Sequence, residues 1–259
     1  MGDSYFRRLD ASRFSATEHT GGGWDADEQH VAPSMGLLVH LVEQDRDHRR
    51  EDGLQVARLS YDILGTVPVG VVQADVRVVR PGRTIDLVEA TLSHDDRPYI
   101  VLRAWLLTSS DTQRLAGTKV PPLEPPSALP AWDPTTIWPG GFIGSVEVRR
   151  AEREPGRASF WVRTDTTLLD DEPVSDLARF AGLLDIANGM TVRADPGAVT
   201  FPNLDLTAHL FERPTGEWVG FDTTVSFGPR GAGLTSSTIH DQRGPIGTLA
   251  QSLTLRPTV

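Results

Sequence analysis

Three residues place a hydrogen-bonding or ionisable side chain inside an otherwise apolar segment: Asp185 in AGLLDIAN, Gln251 in IGTLAQSLTL, and Asn203 at the head of NLDLTAHLF. Burying any one of them costs free energy unless it is hydrogen-bonded. A single such residue could be a satisfied core polar group. Three on separate elements are expected to meet. A carboxylate in such company can exchange a proton, and a primary amide offers both a donor and an acceptor. From Asn203 onward the chain alternates strictly. Asn203, Asp205, Thr207 and His209 share one face of a strand, and Leu204, Leu206, Ala208 and Leu210 the other. The plain reading is a half-exposed strand with its polar face in water. The competing expectation is that this face lines a pocket at its Asn203 end.

The elements that would position these residues occur twice. Laying 36–107 on 182–253 without a gap, an offset of 146, gives 14 identities in 72 positions. Ordinary composition would give roughly four or five. Gly36-Leu37-Leu38 falls on Gly182-Leu183-Leu184, and SHDDR (93–97) on IHDQR (239–243). Each copy has an apolar helical segment, APSMGLLVHLVEQ (32–44) and SDLARFAGLLDIANGM (175–190), followed by several alternating strands. Ser175 is a candidate N-cap and Gly189 a candidate stop. PTGE (214–217), HDDRP (94–98) and HDQRG (240–244) read as hairpin turns. Between the copies, the Pro-rich VPPLEPPSALPAWDP reads as an extended linker. The division is therefore 1–119, a linker at 120–134, and 135–259. One helix and an antiparallel meander, twice over, is an α+β plan in which a sheet wraps a helix.

At the offset of 146, Asp185 falls on Val39, Asn203 on Ala57 and Gln251 on Trp105. The second copy is polar where the first is apolar, so the first reads as a dead site plugged by Trp105.

Composition excludes other classes. Net charge is −10, which argues against a general nucleic-acid binder or a binder of anionic membranes. There is no cysteine, so thiol nucleophiles, disulfides and Cys-based metal sites are excluded. The opening MGDSYFRRLD carries charge where a signal peptide needs an apolar run, and no stretch approaches the roughly 20 apolar residues of a membrane span. A cytoplasmic location without membrane insertion is expected. No G-x-S-x-G elbow, phosphate loop, dinucleotide motif or metal-spaced His pair appears, and GPRGAG (228–233) reads as a turn. No metal or other cofactor is expected. The six Trp residues read as core or interface rather than pocket.

From GGGWDADEQHVAPSMGLL to LAQSLTLRP the chain resembles the acyl-CoA thioesterase II (TesB-like) family of double-hotdog thioesterases. The family pattern of a helix Asp, a Thr-x-Asp strand followed by Arg-Pro, and a late-strand Gln meets Asp185, Asn203-Leu204-Asp205 with Arg213-Pro214, and Gln251. The resemblance implies a double hotdog, an acyl-CoA substrate, and the catalytic roles of Asp, Thr and Gln carried by Asp185, Asn203 and Gln251. Asn203 departs from the family Thr, which leaves room for a non-catalytic acyl-binding or scaffold protein with a decayed site. Thioester hydrolysis then needs a water activated by Asp185 and held by the two amides. The oxyanion donors would be the Gln251 amide and a backbone N–H at the N-terminus of the second unit's helix. His30, Asp205 and Thr207 are candidate substrate contacts. A homodimer or higher even oligomer is expected.

Overall fold

The computed structural model describes residues 3–258. The first unit opens with a hairpin, β1 (Ser4–Arg8) and β2 (Arg13–Ala16). It continues through helix α1 (Val31–Arg49) into β3 (Gln55–Ile63), β4 (Val71–Arg80), β5 (Ile85–His94) and β6 (Arg97–Leu107). An edge strand β7 (Ala131–Trp132) and a short helix α2 (Gly141–Gly144) lead to the second hairpin, β8 (Val146–Glu154) and β9 (Arg157–Thr164). Then come β10 (Thr167–Leu169), helix α3 (Asp176–Ala181), β11 (Val199–Thr200), β12 (Asp205–Leu210), β13 (Val219–Phe227), β14 (Ala232–Asp241), β15 (Gly244–Thr254) and β16 (Arg256–Pro257).

Fourteen strands form one sheet in the order β10-β1-β2-β4-β5-β6-β3-β12-β15-β14-β13-β9-β8-β7. Outward from its centre the order is the same on both sides: β3, β6, β5, β4 and a hairpin, against β12, β15, β14, β13 and a hairpin. The two halves meet where β3 and β12 pair antiparallel, with Ser60 opposite Thr207 and their hydroxyls 3.0 Å apart. This is the double-hotdog plan. Helix α1 is apolar nearly all round from Ala32 to Val42, and every one of those residues is buried. A helix enclosed on all sides needs no polar face. It packs on β4, β5 and β6 and crosses α3. The crossing is close because a Cβ at Gly36 would lie 2.8 Å from the Ala178 carbonyl oxygen and 3.0 Å from the Gly182 Cα.

The second unit's helix is shorter than the sequence suggests. Ser175 does cap it, accepting from the Ala178 N–H at 3.0 Å. The α-helix nevertheless ends at Ala181 and a 3₁₀ turn, Leu184–Ile186, follows. Leu183 has a widened φ of −117° with ψ at −3°, and farther on the Asn188 side chain accepts the Gly189 N–H at 2.9 Å. The turn at 94–98 is a tight hairpin with Asp95 and Asp96 at positive φ, and the one at 240–244 is its counterpart. PTGE (214–217) is not a hairpin turn. Its flanking strands β12 and β13 are not neighbours, because both edges of β12 are taken by β3 and β15. The Pro-rich segment 120–134 runs largely without regular structure but supplies β7 to the sheet edge. Its Glu124 carbonyl accepts from Trp161 Nε1 at 2.7 Å, and its Pro121 carbonyl lies 3.3 Å from His240 Nε2.

Strand register corrects the gapless repeat. Leu92 pairs with Ile100 and Ile239 with Gly247, each just before a bulge, so the last hairpins are offset by 147 (239 − 92). Val56 pairs with Leu106 and Asn203 with Leu253, again 147 apart (203 − 56). The second unit has one more residue between helix and strands than the offset of 146 allows. A one-residue slip exchanges faces. The counterpart of Gln251 is therefore buried Ala104, and that of Asn203 is buried Val56. Trp105 points to the opposite face of β6 and plugs nothing.

Candidate active site

Asp185 sits on the 3₁₀ turn after α3 and is 5% exposed. Its Oδ1 accepts two hydrogen bonds, from Asn203 Nδ2 at 2.6 Å and from Gln251 Nε2 at 2.9 Å. The three polar residues that broke apolar segments thus share one oxygen atom. Asn203 reaches it because the strand ahead of β12 is irregular. The Asn203–Leu253 bridge and the Thr207–Ala250 pair differ in register by one residue, so an extra residue lies between them. That bulge turns Asn203 to the inner side, where its amide also donates to the Asp205 carbonyl at 3.2 Å, and leaves Leu204 half-exposed. Gln251 points inward from β15 and is 1% exposed, and its Oε1 has no hydrogen-bond partner.

The same bulge separates Asn203 from the rest of its alternating face. Asp205 points away from the pocket and accepts the Ser252 N–H at 2.6 Å. Thr207 bonds Ser60 across the central strand pair, and His209 is exposed. The structure does not bring Asp205 or Thr207 to Asp185, and the polar face from 205 to 209 is the outer surface of the sheet.

His30 does come to the site. It is the N-cap of α1, and its Nδ1 accepts the Ala32 N–H at 3.2 Å. The same nitrogen lies 4.0 Å from Asp185 Oδ2, and the ring packs on Phe142 with centroids 4.3 Å apart. Burial pushes Asp185 up to about 7, against the pull of the two amide hydrogen bonds, and burial pushes His30 down to about 4. His30 therefore loses its proton before Asp185 does. Burial disfavours the charged form of both groups, so near neutrality a partly ionised carboxyl faces an uncharged imidazole. The helix N-terminus at the site is that of the first unit, α1. The N-terminus of α3 lies elsewhere, where the Ser175 hydroxyl donates to Glu43. That place is the twin of the site, lined by Val56, Glu43, Arg46 and Arg213, with an apolar residue where Asn203 would stand.

A pocket of about 320 Å³ opens over Asp185 and Asn203. Its wall includes Trp24, Trp138, Ile143, Ile186 and Met190, with Asp25, Glu28 and Arg256 among its charged residues. Trp24, Trp138 and Phe201 meet edge to face at 4.8–5.8 Å, and Trp138 Nε1 donates to the Gly189 carbonyl. Two of the six Trp residues thus line the pocket, contrary to the sequence expectation. The GGGW run carries the signal that was missed: Gly22, Gly23 and Trp24 all line the cavity. Gln29 also lines it, with a buried Oε1 that has no partner. Gln251 is not in the wall and holds Asp185 from behind. Among the described residues no cluster of His, Asp or Glu could hold a metal ion, and no helix is long and apolar enough to cross a membrane.

The arrangement is a buried carboxylate with one oxygen fixed by two amides and the other without a hydrogen bond, on a residue that lines a pocket with a largely apolar wall. Such a group can take a proton from a water and return it. The acyl-CoA thioesterase N-terminal domain model matches residues 20–107, and the acyl-CoA thioesterase C-terminal domain model matches residues 119–255. No curated protein sequence matches the chain. An acyl-CoA thioesterase II (TesB2) from Mycobacterium marinum superposes with a TM-score of 0.68 at 15% identity, over 98% of this chain and 95% of that one. A hot dog fold protein of unknown function from Alicyclobacillus acidocaldarius superposes with a TM-score of 0.75 at 15% identity, over 97% and 96%. The dehydratase domain from the CurJ module of curacin polyketide synthase shares the fold at a TM-score of 0.55 and 10% identity, over 89% and 85%. The fold alone is therefore shared across chemistries. It is the paired match of both domain models, spanning most of the sequence, that identifies this thioester hydrolase as a member of the acyl-CoA thioesterase family.

Proposed function

We propose that the protein hydrolyses the thioester of a fatty acyl-CoA, with Asp185 as the base. The observation that carries this reading is the division of labour on the Asp185 carboxyl: Oδ1 holds both amides and Oδ2 is left to the pocket. A water beside Oδ2 gives its proton to that oxygen as its own oxygen attacks the thioester carbonyl carbon. The tetrahedral oxyanion collapses, the C–S bond breaks, and the departing sulfur takes the proton from Asp185. The products are a carboxylic acid and a free thiol. The raised proton affinity of Asp185 matches a group that must accept and release a proton near neutrality. Asn203 and Gln251 orient the carboxyl, and the Asn203 amide does so without the family's hydroxyl. The apolar wall around Trp24, Trp138 and Met190 supports a hydrocarbon acyl chain.

The same proposal covers the division at 1–119, 120–134 and 135–259, supported by the repeated strand order, and assembly into an even oligomer. The test is thiol release from acyl-CoAs of graded chain length. Turnover of at least one chain length by the parent protein, with an approximately 10²–10³-fold lower kcat in Asp185→Asn, is expected. Parent-level turnover by Asp185→Asn would remove Asp185 from the mechanism.

A further inference from the structure

The pocket contains a second polar group that hydrolysis by Asp185 alone does not use. His30 is capped and stacked in place: Nδ1 accepts the Ala32 N–H and the ring lies on Phe142. A nitrogen that accepts a backbone N–H carries no proton of its own, so the proton of the neutral ring is on Nε2. The tautomer is thus set by the helix backbone. The ring edge bearing Nε2 faces Gly23, where a Cβ would come within 3.1 Å of His30 Cδ2 and 3.7 Å of Nε2. Gly23 holds φ at +90°, in the region that favours glycine. The missing side chain at 23 leaves Nε2–H a way into the pocket that both residues line. Asp185 Oδ2 lies 4.0 Å from the other ring nitrogen, so the carboxyl and the imidazole are neighbours in the lining of one pocket.

We propose that His30 is a catalytic residue whose Nε2–H donates to the thioester carbonyl oxygen and holds the oxyanion formed by water attack. No proton is transferred in this role. The carbon–oxygen double bond opens to the oxyanion, the hydrogen bond shortens, and it relaxes when the C–S bond breaks. An uncharged imidazole suits the task, because it stabilises developing charge without first having to lose or gain a proton. Burial keeps it uncharged across the range in which Asp185 ionises. His30 takes the place that sequence reasoning gave to a backbone N–H of the second unit's helix.

The inference rests on the thioesterase reading above, and the test separates the two. His30→Asn keeps a side-chain oxygen able to cap α1, as Asn is among the preferred N-caps, but has no donor at the Nε2 position. Steady-state hydrolysis of an acyl-CoA by His30→Asn is expected to show kcat lowered about 10²–10³-fold, the scale for one oxyanion donor, with KM little changed. Its pH–rate profile should keep the parent's midpoint, because Asp185 remains the base. A non-hydrolysable ketone analogue, with CH₂ between sulfur and carbonyl, gives the second readout. Its carbonyl stretch should shift to lower frequency on binding the parent and return toward the free value in His30→Asn. A parent protein that turns over acyl-CoA while His30→Asn matches its kcat and its ketone shift would overturn the inference alone. A parent that turns over no acyl-CoA would overturn the functional reading and this inference with it.

Discussion

Replacing Asp185 by Asn should make the protein more stable, and by an amount that grows with pH. The amide introduced by Asp185→Asn keeps a carbonyl oxygen able to accept from Asn203 and Gln251, so both hydrogen bonds made to Oδ1 survive. What disappears is the cost of holding a charge in a dry site. The folded protein raises the Asp185 carboxyl from 3.8 to about 7. A raised folded value means that the folded state binds the proton more tightly than the unfolded chain. The associated stability is therefore present in full below the unfolded value. It is lost progressively as pH rises from about 4 to about 7, and the loss is complete above that. Integrating over that interval, the parent falls behind Asp185→Asn by about 2–3 kcal/mol more at about pH 8 than at about pH 5. Urea unfolding followed by circular dichroism, run on both proteins at matched pH values, reads this directly. The two stability curves should diverge steadily from about pH 5 to about pH 7 and run parallel above the Asp185 midpoint. Parallel curves throughout would mean that Asp185 ionises in the folded protein as it does in water, and the description of the site would be wrong.

Gln251→Leu should fold, because leucine suits a fully buried strand position, but it leaves Oδ1 with one donor. Its kcat for thioester hydrolysis should fall by about 10²-fold, with a smaller effect on KM, in a thiol-release assay. Asn203→Thr should stay within about tenfold of the parent, since a hydroxyl can donate to Oδ1 as the amide does. A collapse of its activity would show that the second donation, to the Asp205 carbonyl, is needed to hold the bulge. Gly36→Ala drives a methyl against the Ala178 carbonyl and should lower unfolding free energy by about 1–3 kcal/mol in the same denaturation assay. Sedimentation at micromolar concentration should give an even oligomer, and a monomer would contradict the assembly proposed above.

Duplication, the antiparallel plan and the meeting of Asp185, Asn203 and Gln251 were all legible in the chain, because each rests on a rule that acts locally. Polar residues inside apolar runs must find partners, and these three found one another. Features that depend on a single inserted residue were not legible. The identity of His94 with His240 suggested an offset of 146, yet one extra residue between helix and strands in the second unit makes His240 the counterpart of Ser93 in the fold. The bulge at Leu204 likewise parted Asn203 from Asp205 and Thr207, which a strict period of two had joined. The helix break after Ala181 was hidden because Leu183, Leu184 and Ile186 are good core residues in any conformation. The close approach of Gly36 to Ala178 and Gly182 at that point is a tertiary contact that the local sequence does not state. The role of the GGGW loop was missed for a related reason. It acts by being folded back over the start of α1, and nothing in its own composition states what it covers.

The assignment of Asp185 as the base is tested most directly by the pH dependence of kcat/KM for hydrolysis of an acyl-CoA that the parent protein accepts. A base that must be ionised to act, and whose carboxyl is held up to about 7, gives a rate that rises with unit slope below that pH and levels off above it. A rate that stays flat from about pH 5 to about pH 9, or one that levels off near the ordinary carboxylate value of about 4, would contradict it.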